Sequence, residues 1–98
     1  MDMSDARMTA VEAMCVSVNV SLAESISPAD LERMLRSGAL DPRWRSHLEV
    51  LFSEVAPSLW RRFLDETGIP IEPVRVLYAA VPFAHNAVTT AMLYRGIF

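Results

Sequence analysis

His85 is the residue of this chain that is best suited to catalysis or to ligand binding. It lies in residues 82–86, which we predict to be a turn between two strands, and turns often display functional side chains. If that hairpin closes, Arg75, Tyr78 and Tyr94 come close to His85, and the four residues could line the pocket of a small enzyme or ligand-binding protein. No cysteine, carboxylate or second histidine stands at a motif spacing from His85, so we expect no metal and no cofactor. A solvated turn histidine is the favoured alternative.

Two clusters of tryptophan and arginine form the other candidate site. Both residue types are enriched at the hot spots of protein interfaces. Arginines in the first turn of a helix that begins after Asp41 oppose the helix dipole, so an acidic group on a partner would stabilise them. The alternative is a buried indole ring with arginine side chains lying over it. The predicted partner-binding residues are Arg43, Trp44, Arg45, Trp60, Arg61 and Arg62.

Residues 13–22 alternate between apolar and small polar side chains, which is the period of a strand with one buried face. The polar face contains Ser17, Asn19 and Ser21 and carries no charge. We therefore predict a first strand whose open face and free edge pair with a second copy of the chain.

Helix signals dominate the middle of the chain. Ser27 can cap a helix over 28–37, Pro28 suits its first position, and Gly38 can end it. A second helical stripe begins after Asp41. Pro57 removes a backbone donor from this stripe, so we predict a break near Ala56 and two separate helices.

The end of the chain returns to β-branched residues. We predict strands over 74–81 and 88–94, joined by the turn at 82–86. A helix over 84–95 that ends at Gly96 is the competing interpretation. The predicted fold is therefore α+β, a single small domain of order β-α-α-α-β-β, with an antiparallel-containing sheet and helices packed on one face. Residues 1–8 are predicted to be a flexible leader to the globular domain 9–98.

Composition restricts the class of function. The 98 residues carry a net charge of −3, and all nine basic residues are arginine. The acidic balance disfavours nucleic acid as a partner, and the single Cys15 excludes an internal disulfide and suits the cytoplasm. Residues 76–94 lack charge, but Pro82 and Asn86 interrupt them, so we expect a buried hairpin and no membrane span.

These observations favour a cytoplasmic, non-enzymatic regulator or inhibitor that acts through a protein–protein surface. An immunity protein or an inhibitor of a defence enzyme fits this description. We expect a homodimer, and a partner protein with an acidic patch that contacts the arginines. The alternative function is the small enzyme or ligand-binding protein with a pocket lined by Arg75, Tyr78, His85 and Tyr94.

Overall fold

The computed structural model describes residues 8–98, which are 71% helical and contain no strand. The predicted α+β fold with a sheet is therefore wrong for the described residues. The predicted leader lies outside this part of the chain, except for Met8. In chain order the helices are α1 (Ala10–Asn19), α2 (Pro28–Ser37), α3 (Arg45–Glu54), α4 (Pro57–Thr67), α5 (Ile71–Ala79) and α6 (Ala87–Arg95), with 3₁₀ turns at Pro42–Trp44 and Pro82–Ala84.

The predicted first strand is helix α1. The Thr9 hydroxyl accepts from the backbone N–H of Glu12 at 3.2 Å, and the Glu12 carboxylate accepts from the N–H of Thr9 at 2.8 Å. This reciprocal capping box starts a helix, and its Thr-x-x-Glu pattern was overlooked in the sequence. The buried side chains of α1 then follow helical spacing, because one face contains Ala10, Val11, Met14, Cys15 and Val18. Tertiary packing of this face outweighs the β propensity of the alternating valines.

The middle of the chain agrees with its helix signals. Helix α2 spans the predicted 28–37, where the Ser27 hydroxyl accepts from the N–H of Asp30 at 3.1 Å. Gly38 ends α2 with φ +76°, and a Cβ atom there would lie 3.2 Å from the backbone of Pro73. The break near Ala56 is also confirmed, because α3 ends at Glu54 and α4 starts at Pro57.

Helix α5 replaces the predicted strand over 74–81. Its buried residues Val74, Leu77 and Tyr78 have helical spacing and form a single stripe. Pro73 is in the first turn, where a helix needs no N–H donor at that position. Of the β-branched residues in this helix, Val74 lies on the buried stripe and Val76 is 58% exposed, so the β-branched composition does not indicate a strand here.

Helix α6 replaces the predicted strand over 88–94, so the competing helical interpretation was the better one. The Asn86 side chain accepts from the N–H of Thr89 at 2.8 Å and caps the helix, which ends at Gly96 with φ +70°. No helix within residues 8–98 combines the length and the apolar character that crossing a membrane requires.

The buried apolar side chains of all six helices form one cluster. At its centre the ring of Phe52 stacks on Trp60, with centroids 5.3 Å apart, and Tyr78 meets Phe52 edge-on at 5.1 Å. Helix α1 packs against α2, α3 and α4, whereas α5 packs against α2 and α6. The α5–α6 pair is therefore a hairpin at the margin of the bundle, with one side in the core and the other in solvent.

Candidate functional site

Tyr78 holds the end of the α5–α6 hairpin in place. Its buried hydroxyl accepts from the backbone N–H of Asn86 at 2.9 Å and shares a hydrogen bond with the Thr90 hydroxyl at 2.8 Å. The carbonyl of Phe52 on α3 accepts from the Thr89 hydroxyl at 2.7 Å and from the Asn86 side-chain amide at 3.3 Å. These bonds join α3, α5 and the start of α6, so the residues just before α6 have a defined position.

His85 is fixed in orientation by Tyr78. Its Nε2 atom is 2.6 Å from the Tyr78 carbonyl oxygen, and the two rings stack with centroids 4.1 Å apart. A carbonyl oxygen can only accept, so Nε2 carries the hydrogen in this contact. The Nδ1 atom is therefore the ring nitrogen that remains for a ligand.

The predicted pocket of four residues is separated into two pairs. His85 contacts Tyr78, as described above. Arg75 instead donates from Nε to the Leu93 carbonyl at 2.6 Å, and its guanidinium carbon lies 5.2 Å from the Tyr94 ring centroid. The hydroxyl of Tyr78 is buried and hydrogen-bonded, and His85 is the member of the four that lines the cleft described next.

We call this the α6 cleft, a surface cleft of about 460 Å³ along the outward face of α6. Ala87 and Ala91, one turn apart, supply small apolar side chains to its lining. Arg95 is the charged residue of the lining, and no ion pair or hydrogen bond joins its side chain to another of the described residues. The complete lining is His85, Asn86, Ala87, Thr90, Ala91 and Arg95.

Exposed apolar side chains are concentrated on the same hairpin. Phe83, in the turn between α5 and α6, is 92% exposed, and Val88 on α6 is 60% exposed. Val76 on α5 and Tyr94 on α6 are each more than half exposed. We call these four residues the hairpin surface. The uncharged sequence over 76–94 is therefore only partly buried, in contrast to our prediction of a buried hairpin.

Charge is distributed unevenly along the chain. Residues 1–72 contain all twelve acidic residues and seven of the nine arginines, which gives a net charge of −5. Residues 73–98 contain Arg75 and Arg95 and no acidic residue, which gives a net charge of +2. Glu72 lies in the first turn of α5, so the whole segment from Ile71 to Phe98 has one acidic residue and two arginines, a net charge of +1 in an otherwise acidic protein.

The first predicted Trp–Arg cluster lies where the 3₁₀ turn leads into α3. Trp44 is buried, and the Arg43 guanidinium carbon lies 4.5 Å from its ring centroid. Arg43 also pairs with Glu24, and the hydrogen bonds that its guanidinium donates to this carboxylate raise the pKa of Arg43. Arg45 donates to the Ala80 carbonyl at 3.0 Å. Arg43 and Arg45 therefore have partners within the chain already.

The second cluster lies on α4. Trp60 is fully buried, and its indole N–H has no hydrogen-bond partner in the described part of the chain. Arg62 pairs with Glu66 at 2.6 Å and donates to the carbonyl of Met8. Arg61 is exposed, and no hydrogen bond or ion pair joins it to another residue within 8–98. Both indole rings thus lie in the core, and a partner-binding role for the cluster stays a prediction that depends on its arginines.

The predicted dimer face is a helix end followed by a loop. Asn19 fastens this loop, because its side chain donates to the Ile26 carbonyl at 3.1 Å and accepts from the Ile26 N–H at 2.9 Å. Ser21 donates to the Val18 carbonyl at 3.5 Å, and Ser17 is exposed on α1. The three residues do not form a sheet face, because residues 8–98 contain no sheet.

The remaining reactive groups offer little chemistry. Cys15 lies against the core, and burial, with a smaller contribution from Glu12, raises the pKa of its thiol to about 11. A thiol with this pKa is protonated and unreactive at neutral pH. Within residues 8–98, histidine, cysteine and acidic side chains form no group of three that could hold a metal ion.

Sequence reasoning missed Phe83 and Val88, whereas it expected Arg95 near His85, and both of these residues line the α6 cleft. The available signal was the uncharged run that ends at Arg95, which we interpreted as buried. The chain matches no protein-family model, no curated protein and no solved structure.

Proposed function

We propose that this protein is a non-enzymatic regulator or inhibitor that binds another protein through the hairpin surface. The observation that carries the proposal is the concentration of exposed apolar side chains on a hairpin in which Glu72, in the first turn of α5, is the acidic residue. Of the nine large apolar side chains that are exposed within residues 8–98, six lie between Val76 and Phe98. Exposed apolar patches on a folded domain commonly mark sites of protein interaction.

Phe83 supports this proposal most directly. Full burial of a phenylalanine side chain contributes about 1.5–3 kcal/mol, yet the fold leaves 92% of this one in water. The neighbouring Ala84 is buried and its N–H donates to the Val81 carbonyl at 3.0 Å, so the turn that presents Phe83 is anchored. An exposed aromatic ring on an anchored turn is a type of side chain that is enriched in the cores of protein interfaces.

The test compares hairpin variants in affinity purification from the native cells, with the captured proteins quantified by mass spectrometry. Loss of about 2 kcal/mol from an interface corresponds to roughly 30-fold in affinity. We therefore expect Phe83→Ser and Val88→Asp each to lose the partner that the wild-type chain captures. Val20→Ser is the matched control, because Val20 is 81% exposed but lies outside the hairpin. Equal capture by all four proteins would contradict the proposal.

Two alternatives are tested in the same series of experiments: binding through the Trp–Arg clusters, and binding to a second copy of the chain. Arg61→Glu removes an exposed cation of the predicted cluster, and loss of the partner in this variant alone would assign binding to α4. The predicted homodimer was argued from sheet edges, which residues 8–98 do not contain. Light scattering decides it, since a dimer has twice the chain mass of 11.0 kDa.

A small enzyme or ligand-binding protein is the second candidate, and the orientation of His85 favours it. The Tyr78 carbonyl fixes Nε2 as the donor, which leaves Nδ1 as the ring nitrogen that can contact a ligand in the α6 cleft. The cleft lining contains no carboxylate that could pair with this histidine, so the structure supports binding of a small ligand better than catalysis. This candidate predicts that His85→Ala removes the binding of a small ligand, whereas Phe83→Ser leaves it unchanged.

A further inference from the structure

Arg95 differs from the other arginines that border the surface clefts. Arg33 pairs with Asp30 and Arg36 pairs with Glu32, each at 2.7 Å. Arg95 lies in the last turn of α6, and among residues 8–98 no hydrogen bond or ion pair involves its side chain. Its side chain contributes a cation to one end of a cleft whose remaining lining is uncharged.

The α6 cleft has the dimensions of a short peptide segment. Ala87 and Ala91 leave room for an occupant close to the backbone of α6, because a methyl side chain projects little from a helix. From Ala87 to Arg95 the helix rises by about 12 Å, which is the length of two helical turns or of about four extended residues. Val88 follows Ala87 on α6 and Phe83 lies in the turn before the helix. Neither lines the cleft, so an occupant that also covers these exposed side chains needs apolar groups that extend beyond it.

Charge argues against a second copy of the chain as the occupant. A symmetric contact between two α6 helices would bring together two surfaces that each contain Arg95 and no acidic residue. Burial of a cation without a partner costs several kcal/mol, so this contact is unfavourable. Docking of the acidic region of one copy on the hairpin of the next would be heterologous, and it would produce a ring or an open filament instead of a two-fold dimer.

We infer that the partner contributes a short apolar segment with an aspartate or glutamate, and that this carboxylate pairs with Arg95 while apolar side chains cover the α6 cleft. The inference rests on the proposed function, because it names the chemistry of the protein that binds the hairpin surface. A carboxylate can accept two parallel hydrogen bonds from one guanidinium, so Arg95 would also set the register of the segment.

The experiment uses a random library of 12-residue peptides displayed on phage and selected on the full-length protein. Selected sequences are synthesised with a fluorescent label, and their affinities are measured by fluorescence polarisation. We expect apolar peptides enriched in Asp or Glu, and Arg95→Glu should weaken them by at least about tenfold. Changing the acidic residue of the peptide to its amide should have a comparable effect. A lysine at that position should restore binding to Arg95→Glu.

Arg33→Glu is the matched control, because it reverses an exposed arginine on α2, outside both the hairpin and the Trp–Arg clusters, and should change affinity less than about twofold. Peptides that depend on Phe83 but show no acidic preference and tolerate Arg95→Glu would overturn the inference and leave the proposed function intact. Failure to select peptides, or peptides insensitive to both Phe83→Ser and Arg95→Glu, would overturn both. A wild-type dimer that Val88→Asp dissociates would assign the cleft to a second copy and overturn the inference.

Discussion

Tyr78→Phe tests the hydrogen-bond network that positions the candidate site. The substitution removes one oxygen atom and retains the aromatic ring that packs against Phe52. The lost oxygen is the acceptor for the backbone N–H of Asn86, which lies at 2.9 Å. A buried donor left without an acceptor costs about 1–3 kcal/mol. The exposed Thr90 hydroxyl can bind water instead, so its contribution is small, and we expect a total loss of about 2 kcal/mol.

Urea denaturation followed by tryptophan fluorescence measures this loss, because Trp44 and Trp60 both lie in the core. A loss of about 2 kcal/mol should lower the urea midpoint by roughly 1 M or more and the Tm by about 10 °C. Tyr94→Phe is the matched control, since Tyr94 is 51% exposed and its hydroxyl has no hydrogen bond within the described chain. Equal midpoints for Tyr78→Phe and the wild type, or equal losses in both variants, would refute the network as described.

Three further predictions concern the helices and the titratable groups. Ser27→Ala should lower the free energy of unfolding by about 1 kcal/mol through loss of the α2 cap. Leu35→Ala leaves a cavity at a fully buried position and should lower the free energy of unfolding by about 2–5 kcal/mol. Denaturation curves that match the wild type would mean that α2 is wrongly placed. The Ala10 N–H, assisted by Arg62, lowers the pKa of Glu66 below its ordinary 4.5, so this carboxylate stabilises the fold above that pH and the stabilisation is lost as pH falls through the lowered pKa. Glu66→Gln should therefore flatten the acid side of the stability–pH curve, and an unchanged curve would contradict this. Because burial raises the pKa of Cys15 to about 11, a thiol reagent at pH 8 should react with it far more slowly in buffer than in urea, and equal rates would show that the thiol is accessible.

The sequence predicted the elements whose ends are marked by local signals. Ser27, Gly38 and Pro57 each act on the backbone within one turn, so their effect does not depend on the rest of the fold. The alternating segment over 13–22 was different, because its valines satisfy both a strand face and part of a helix face. Two features stabilise the helix over the strand. These are the Thr9–Glu12 capping box and the packing of Met14 and its neighbours against the core.

The candidate site was predicted less well than the fold of the middle region, for a related reason. Trp44 and Trp60 have the chemistry of an interface and equally that of a core, and only the packing of α3 and α4 shows that they are buried. Phe83 shows the opposite error. It lies in an uncharged sequence, which is ordinarily buried, but its side chain is exposed. The 3₁₀ turn directs its ring into solvent, and that direction depends on how Tyr78 and Asn86 anchor the turn.

Photo-crosslinking from Phe83 tests the central claim, which is that the hairpin surface contacts another protein. Phe83 is replaced with a photoreactive phenylalanine analogue in the native cells, and Val20, which is comparably exposed, is replaced in a control chain. If the hairpin surface contacts another protein, irradiation should give an adduct to a different protein from position 83 and no such adduct from position 20. An adduct of twice 11.0 kDa would instead identify a second copy of the chain. Adducts from position 20 and none from position 83 would contradict binding through the hairpin surface.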